Sequence, residues 1–277
     1  MEKTKSKKLS IKKILIIIGV CLVLGLFLIY QNKHLVITYY YYHTDKIDGN
    51  DSITIVQLSD LHNDSFGKDN GRIVQMVREL NPDIIVITGD LVDSYRTNVD
   101  VALTLVNQLT DICSVYYITG NHEMWLEDGA MQTLFSGLRD AGVYILSNEV
   151  AKLVINGNPL YLAGLNEYNL YDETLKNMLS DTDEDILNIV LAHEPQHLEK
   201  YANNGADLVL SGHAHGGQFR LPFIGGLYAP DQGFLPEYTS GEYIYNDTVM
   251  FVSRGLGNST FPFRLFNYPE IVCIVID

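Results

Sequence analysis

The 277-residue chain carries 34 acidic against 19 basic side chains, a formal charge of −15, with 47% of residues hydrophobic and 19% charged. That balance excludes disordered and low-complexity classes and disfavours a nucleic-acid partner held mainly through phosphates. Three cysteines, Cys21, Cys113 and Cys273, are too few and too scattered for a disulfide framework or a thiolate zinc site.

The charge is unevenly placed. Residues 1–13 hold six lysines against Glu2 alone, a net +5 that leaves −20 on the rest. This stretch reads as a basic cytoplasmic tail. An uncharged run, 14–32, follows and is almost wholly apolar through Tyr30. As a helix it would reach ~28 Å, enough to span a bilayer. With Lys33 the one charge just beyond it, the lysine excess predicts a cytoplasmic N-terminus and an extracytoplasmic remainder in a single-pass membrane protein. A cleaved signal peptide shares the basic start and apolar run, but no small-x-small site follows Tyr30, so 14–32 is expected to be an uncleaved signal anchor.

Residues 33–52 read as a juxtamembrane strand and turn, with the β-prone run Tyr39 to Tyr42 and a polar stretch from Asp45 to Asp51. The tyrosines suit an interface belt or an edge strand. From Ile53 short apolar runs alternate with amphipathic segments such as Ile73, Met76, Val77 and Leu80, which Asn81-Pro82 stops. This is the punctuation of a layered α/β fold, expected as one domain over 53–277. Asn156-Gly157, between Val150–Ile155 and Leu160–Ala163, predicts a hairpin and hence a mixed sheet.

The residues just past each apolar run are the informative ones. Ile53–Leu58 leads into Asp60-Leu61-His62, Ile84–Thr88 into Gly89-Asp90-Leu91-Val92-Asp93, and Val115–Ile118 into Gly120-Asn121-His122-Glu123. His193 comes directly after the run at 188–192, and Gly212-His213-Ala214-His215 after the run at 207–210. Ligands of α/β sheets bind outside the carboxyl ends of strands, so these groups should converge there. Each motif alone has an ordinary reading as a surface turn or packed histidine; five of eight histidines in such positions beside Asp and Asn do not. Carboxylate, amide and imidazole ligands without thiolate suit Zn²⁺, Mn²⁺ or Fe²⁺. Seven are too many for one tetrahedral ion, whereas two ions sharing a carboxylate use them all and suit in-line displacement at phosphorus.

These five blocks, in this order, resemble those of the calcineurin-like metallophosphoesterase superfamily. Gly212–Gln218, Ser253–Gly257 and Tyr268–Ile271 are similar to its bacterial membrane-associated or exported phosphodiesterase branch, which includes sugar-nucleotide pyrophosphatases acting on lipid substrates. The resemblance implies a four-layer α/β/β/α sandwich. It implies that Asp60, His62 and His215 hold one divalent cation, that Asn121, His193 and His213 hold a second, and that Asp90 bridges them. His122 would donate a proton to the leaving group or stabilise phosphoryl charge, with Asp93 orienting it. Glu123 and Ala214 depart from the commoner Asp and Thr outside the ligand positions. Arg254 is a candidate for clamping a substrate phosphate.

The resulting expectation is a membrane-anchored, two-metal phosphoesterase that uses a metal-activated water on a phosphodiester or pyrophosphate, small or lipid-linked. The alternatives are a catalytically silent metal-binding regulator, a phosphomonoesterase, and a nuclease; the −20 charge and the external location argue against the last.

Overall fold

A computed structural model describes residues 10–48, 51–166, 172–259 and 261–277. The first element, α1 (Ile11–Lys33), has 23 residues and is long and apolar enough to cross a membrane. At 1.5 Å per residue it measures about 35 Å. Its apolar side chains are exposed along most of its length, and only Gln31 and Asn32 at its end are buried.

Two mixed six-stranded sheets follow. The first has the order β1 (Val36–Tyr42), β16 (Glu270–Ile276), β2 (Ile53–Leu58), β3 (Ile84–Thr88), β4 (Ser114–Ile118) and β5 (Tyr144–Ile145). The second runs β14 (Gly241–Tyr245), β15 (Thr248–Val252), β9 (Leu208–Ser211), β8 (Leu187–Leu191), β7 (Asn158–Gly164) and β6 (Glu149–Ile155). Two small hairpins, β10 (Arg220–Leu221) with β11 (Gly225–Gly226) and β12 (Tyr228–Ala229) with β13 (Gly233–Phe234), lie between β9 and β14. At the predicted β6–β7 hairpin Asn156 (φ 50°) and Gly157 (φ 82°) both take the left-handed region, as a type I′ turn requires.

Period-two alternation builds the layers. In β2 and β3, Ile53, Ile55, Ile84 and Val86 face the second sheet, where they meet Leu162, Ile189, Leu210 and Phe251. Val56, Leu58, Ile85 and Ile87 face the opposite way, onto α2 (Gly71–Leu80), α3 (Val99–Thr110) and α5 (Asp128–Asp140), the one-turn α4 (Asn121–Met124) following β4. The second sheet turns Val190, Val209 and Met250 outward against α6 (Asp172–Leu179) and α7 (Leu198–Asn203). The product is the four-layer α/β/β/α sandwich.

The stretch 33–52, expected to lie outside the catalytic domain, is partly inside it. β1 pairs in parallel with β16 over all seven residues, Val36 opposite Glu270 through Tyr42 opposite Ile276. The tyrosine run is therefore an edge strand, with Tyr40 stacked on Phe251 of the second sheet at 4.5 Å. Because β16 is antiparallel to β2, β1 starts level with the carboxyl end of β2. The exit of α1 and the carboxyl ends of β2, β3 and β4 thus share one end of the molecule.

Candidate active site

The loops after β2, β3, β4, β8 and β9 meet at that end. Asp60 N–H donates to Gly89 O at 3.0 Å, His62 N–H to Asp90 O at 3.0 Å, and Gly212 N–H to His193 O at 3.1 Å. Asp60, His62, Asp90, His213 and His215 all have φ between 47° and 66°. Left-handed backbone at five non-glycine residues is strained and persists because these cross-loop bonds over-determine it. Gly89 makes the approach possible: a Cβ there would lie 2.5 Å from Gly120 N and 2.8 Å from His193 Nδ1.

All seven expected ligands are brought together and buried apart from Asn121, which is half-buried. Ligand atoms of Asp60, His62 and His215 lie within 4.8 Å of one another, as do those of Asp90, His193 and His213. Asn121 Oδ1 is 3.2 Å from His193 Nε2 and 3.0 Å from His213 Nδ1. His62 and His193 each place Nε2 3.4 Å from Asp90 Oδ2, so Asp90 stands between the two groups.

The donor chemistry of the imidazoles tests whether cations fit. His193 Nδ1–H donates to Thr88 O at 2.7 Å, so the lone pair of Nε2 faces the oxygens of Asp90 and Asn121. His215 Nδ1 lies 3.3 Å from Gly257 O and 3.4 Å from Arg264 Nη2, and its Nε2 faces His62 Nε2 at 3.1 Å and Asp60 Oδ1 at 3.6 Å. His213 Nε2–H donates to Asp231 Oδ2 at 3.0 Å, turning its Nδ1 lone pair on Asn121 Oδ1. Lone pairs converging on anionic and carbonyl oxygens repel unless a cation lies between them, and far-side anchoring of the rings is how metal-binding histidines are held. Burial favours the neutral rings: it pulls His62 down to about 3, and His215 well below its ordinary value with the Arg264 charge adding to it. The residues fit two divalent cations.

The supporting carboxylates are specific. Glu123 accepts the N–H groups of Gly120 (2.8 Å), Asp90 (2.8 Å) and Val92 (3.1 Å), stapling the loops after β3 and β4. His122 N–H donates to Asp90 Oδ1 at 2.8 Å, and His213 N–H to Asp60 Oδ1 at 3.1 Å. His122 reaches over the cluster, its ring 4.5 Å from that of His62, with Nε2 3.0 Å from Ser259 Oγ.

Two expectations change here. Asp93 does not bond His122; its carboxylate accepts Tyr95 N–H (2.8 Å), Arg96 N–H (3.0 Å) and Arg96 Nε–H (3.1 Å). Burial would raise that carboxyl, but Arg96 and the Tyr95 N–H outweigh it and hold it below the usual range. It shapes the turn from which Ser94 N–H donates to His122 Nδ1 at 3.1 Å. Arg254 turns away from the metal cluster: its guanidinium pairs with the buried carboxylate of Glu270 and donates to Thr38 Oγ1 of β1 at 3.3 Å. Nε and Nη2 of the guanidinium are thus engaged by Glu270 and Thr38.

Sequence reasoning missed three contributors. Asp231 follows Pro230 in a turn, a weak signal on its own. Arg264 is fully buried behind His215, donating through Nη1 to Arg254 O at 2.7 Å and through Nη2 to Gly257 O. Its one trace in the sequence is a charge set among the phenylalanines of 261–266. The third is the end of α1. Asn32 and Lys33, with His62, Asn63, Asp64, Arg96, Asn98, Asn258 and Pro262, line a pocket of about 360 Å³ beside the cluster. Asn32 Oδ1 accepts Asn258 Nδ2–H (2.8 Å) and Arg264 N–H (3.1 Å), while Lys33 pairs with Asp64 and donates to Ser65 O.

A four-layer sandwich with this strand-end cluster defines a metallophosphoesterase. Residues 53–217 match the sequence model of calcineurin-like phosphoesterases, and the chain belongs to that family. The uncharacterised metallophosphoesterase YkuE of Bacillus subtilis is 32% identical to it over 82% of this chain and 80% of its own. A metallophosphoesterase of Aquifex aeolicus is 30% identical over 93% of this chain and 97% of its own. A Bos taurus transmembrane protein with a metallophosphoesterase domain is 30% identical over 82% of this chain, which spans 53% of that protein. The solved structure of Thermus thermophilus TT1561 superposes on 74% of this chain and 90% of its own with a TM-score of 0.50 at 11% identity, a likeness of fold.

Proposed function

We propose that this protein is a two-metal phosphoester hydrolase anchored in the cell membrane by α1, acting outside the cytoplasm on a phosphodiester or pyrophosphate. The convergence of imidazole lone pairs on the oxygens of Asp60, Asp90 and Asn121 carries the reading. Asp60, His62 and His215 would hold one cation, Asn121, His193 and His213 the second, with Asp90 shared. When bound, such a pair supplies neutralisation of phosphoryl charge and acidification of a water between the ions.

The remaining work falls to the chain's own groups. His122 Nδ1 accepts the Ser94 N–H, so the proton sits on Nε2, a hydrogen-bond donor 3.0 Å from Ser259 Oγ on a ring 4.5 Å from that of His62. Of the two roles expected for His122, this favours stabilising charge on a phosphoryl oxygen. Asn32, Asn63, Asn98 and Asn258 line the pocket with amides, and Lys33 and Arg96 stand in its wall paired with Asp64 and Asp93.

The test uses the full chain in detergent, since truncation between β1 and β2 would strip an edge strand from the first sheet. Hydrolysis of a chromogenic phosphodiester is expected with Mn²⁺ or Zn²⁺ and is abolished by EDTA. Two metals bound per chain with no turnover on mono-, di- and pyrophosphoesters would overturn it in favour of a metal-binding scaffold. A reporter fused after Asp277 is expected to be active only outside the cytoplasm.

A further inference from the structure

The segment 261–266, Phe-Pro-Phe-Arg-Leu-Phe, is folded inside out for a soluble loop. Arg264 is fully buried, while Phe261, Phe263 and Phe266 are exposed, Phe266 to 55%. The position of Phe266 says what covers it. Its ring packs on Phe27 of α1 at 6.1 Å, and its backbone N–H donates to Gln31 Oε1 at 2.8 Å. Phe27 lies six residues before Lys33, about 9 Å back along the helix axis at 1.5 Å per residue. If α1 crosses the bilayer through its apolar run, a side chain alongside Phe27 is below the surface too.

The apolar surface continues from there. Phe219 packs on both Phe261 and Phe263 at 5.6 Å, Tyr228 on Phe261 at 6.2 Å, and Phe234, 83% exposed, on Tyr228 at 5.8 Å. Tyr30, His34 and Tyr268 cluster at the helix exit, with ring separations of 4.8 to 5.9 Å. Amphipathic rings at that level match a membrane interface belt. A rim of exposed aromatics continuous with a membrane helix fits a lipid leaflet.

We propose that residues 261–266 enter the same leaflet as α1 and seat the domain on the bilayer, with Phe266 beside Phe27 among the acyl chains. The pocket, whose wall includes both Lys33 of α1 and Pro262 of this segment, then opens at the lipid headgroups. The phosphoesters it meets first are those carried on membrane lipids. This rests on reading α1 as a membrane anchor, and the test separates the two.

Full-length protein with Trp125→Phe is placed in nanodiscs of phosphatidylcholine brominated on its acyl chains, with a single tryptophan returned at Leu24, Phe266, Phe263 or Val154. Val154 is the distant control: it precedes the β6–β7 turn, where Asn156 bonds Ser52 O and Asp83 Oδ1 at the opposite ends of β2 and β3. Those ends are about 20 Å from the site at 3.3 Å per residue. Emission at Leu24→Trp and Phe266→Trp is expected to fall at least two-fold against unbrominated lipid, with Val154→Trp unchanged; quenching at Phe263→Trp carries the same conclusion should the 266 variant not fold. Quenching at 24 with none at 266 or 263 overturns the seating and leaves the anchor standing. No quenching at 24 overturns the anchor reading and the seating with it.

Discussion

The backbone N–H of Ser94 donates to Nδ1 of His122 at 3.1 Å, and the Ser94 hydroxyl lies at the same distance. A main-chain donor cannot reverse, so Nδ1 is fixed as the acceptor and Nε2, 3.0 Å from Ser259 Oγ, as the donor. Replacing His122 with Ala removes that donor without touching a ligand side chain. Turnover is expected to fall about 10²–10³-fold, the usual effect of losing one such donor, with metal content unchanged at two per chain. His122→Gln, which keeps an N–H donor, should retain more activity than the alanine variant. Unchanged turnover in His122→Ala would remove this residue from the chemistry.

Arg254 and Glu270 make a different case. Glu270 is 1% exposed, and Arg254 is its charged partner, with Thr38 Oγ1 adding a 2.8 Å hydrogen bond. Breaking one side of a buried pair costs about 3–5 kcal/mol because the remaining charge is left without compensation. Arg254→Ala is therefore expected to lower stability in urea unfolding by roughly that amount, with KM for a chromogenic phosphodiester nearly unchanged. A large rise in KM at unchanged stability would return Arg254 to the substrate.

Asp231 is 63% exposed on its side chain, yet it accepts the Nε2–H of the buried His213, and that hydrogen bond holds its carboxyl below the usual range despite partial burial. It fixes the tautomer that points Nδ1 inward. Outer partners of this kind are worth about 10–100-fold in metal affinity. Asp231→Ala is expected to weaken binding of one cation by that factor in competition with a chromogenic chelator. The other cation, next to Asp60, His62 and His215, should be retained. Equal weakening of both would mean that Asp231 acts on the fold.

The ligands were legible because each sits directly after an apolar strand, so local sequence reports their convergence. Their supports were not. Asp93 lies three residues past Asp90, and the resemblance implied that it orients His122, but its short side chain bends back onto Tyr95 and Arg96 N–H groups, as aspartates in turns do. Arg254 shares a strand-end position with the ligands, and nothing local announces that Glu270, sixteen residues on, claims it. Asn32 meets Asn258 across 226 residues, with no periodicity linking a helix end to a distant loop. The tyrosine run was readable as an edge strand, while its partner β16 was fixed only by tertiary pairing.

Burial of the uncharged histidines makes the metal-free protein sensitive to acid. His62 stays neutral down to about 3, burial being the main cause with His215 adding to it and Asp90 opposing, and His215 is also held well below 6.5. Below pH 6.5 the unfolded chain binds protons at these two positions that the folded chain refuses, at His62 down to about 3. Stability therefore falls as pH drops through 6.5, by about 1.4 kcal/mol per pH unit for each. Glu123 works the other way: burial first, then the Asp90 charge, lifts it to about 8, so from pH 4.5 to 8 the folded state holds a proton that the unfolded state lacks. Two histidines against one carboxyl leave a net uptake of about one proton on unfolding between pH 6.5 and 4.5. Urea unfolding of EDTA-stripped protein in detergent is expected to show stability decreasing from pH 6.5 to 5, and His62→Asn should flatten that slope. The same slope in the variant as in the parent would show that the acid sensitivity arises elsewhere.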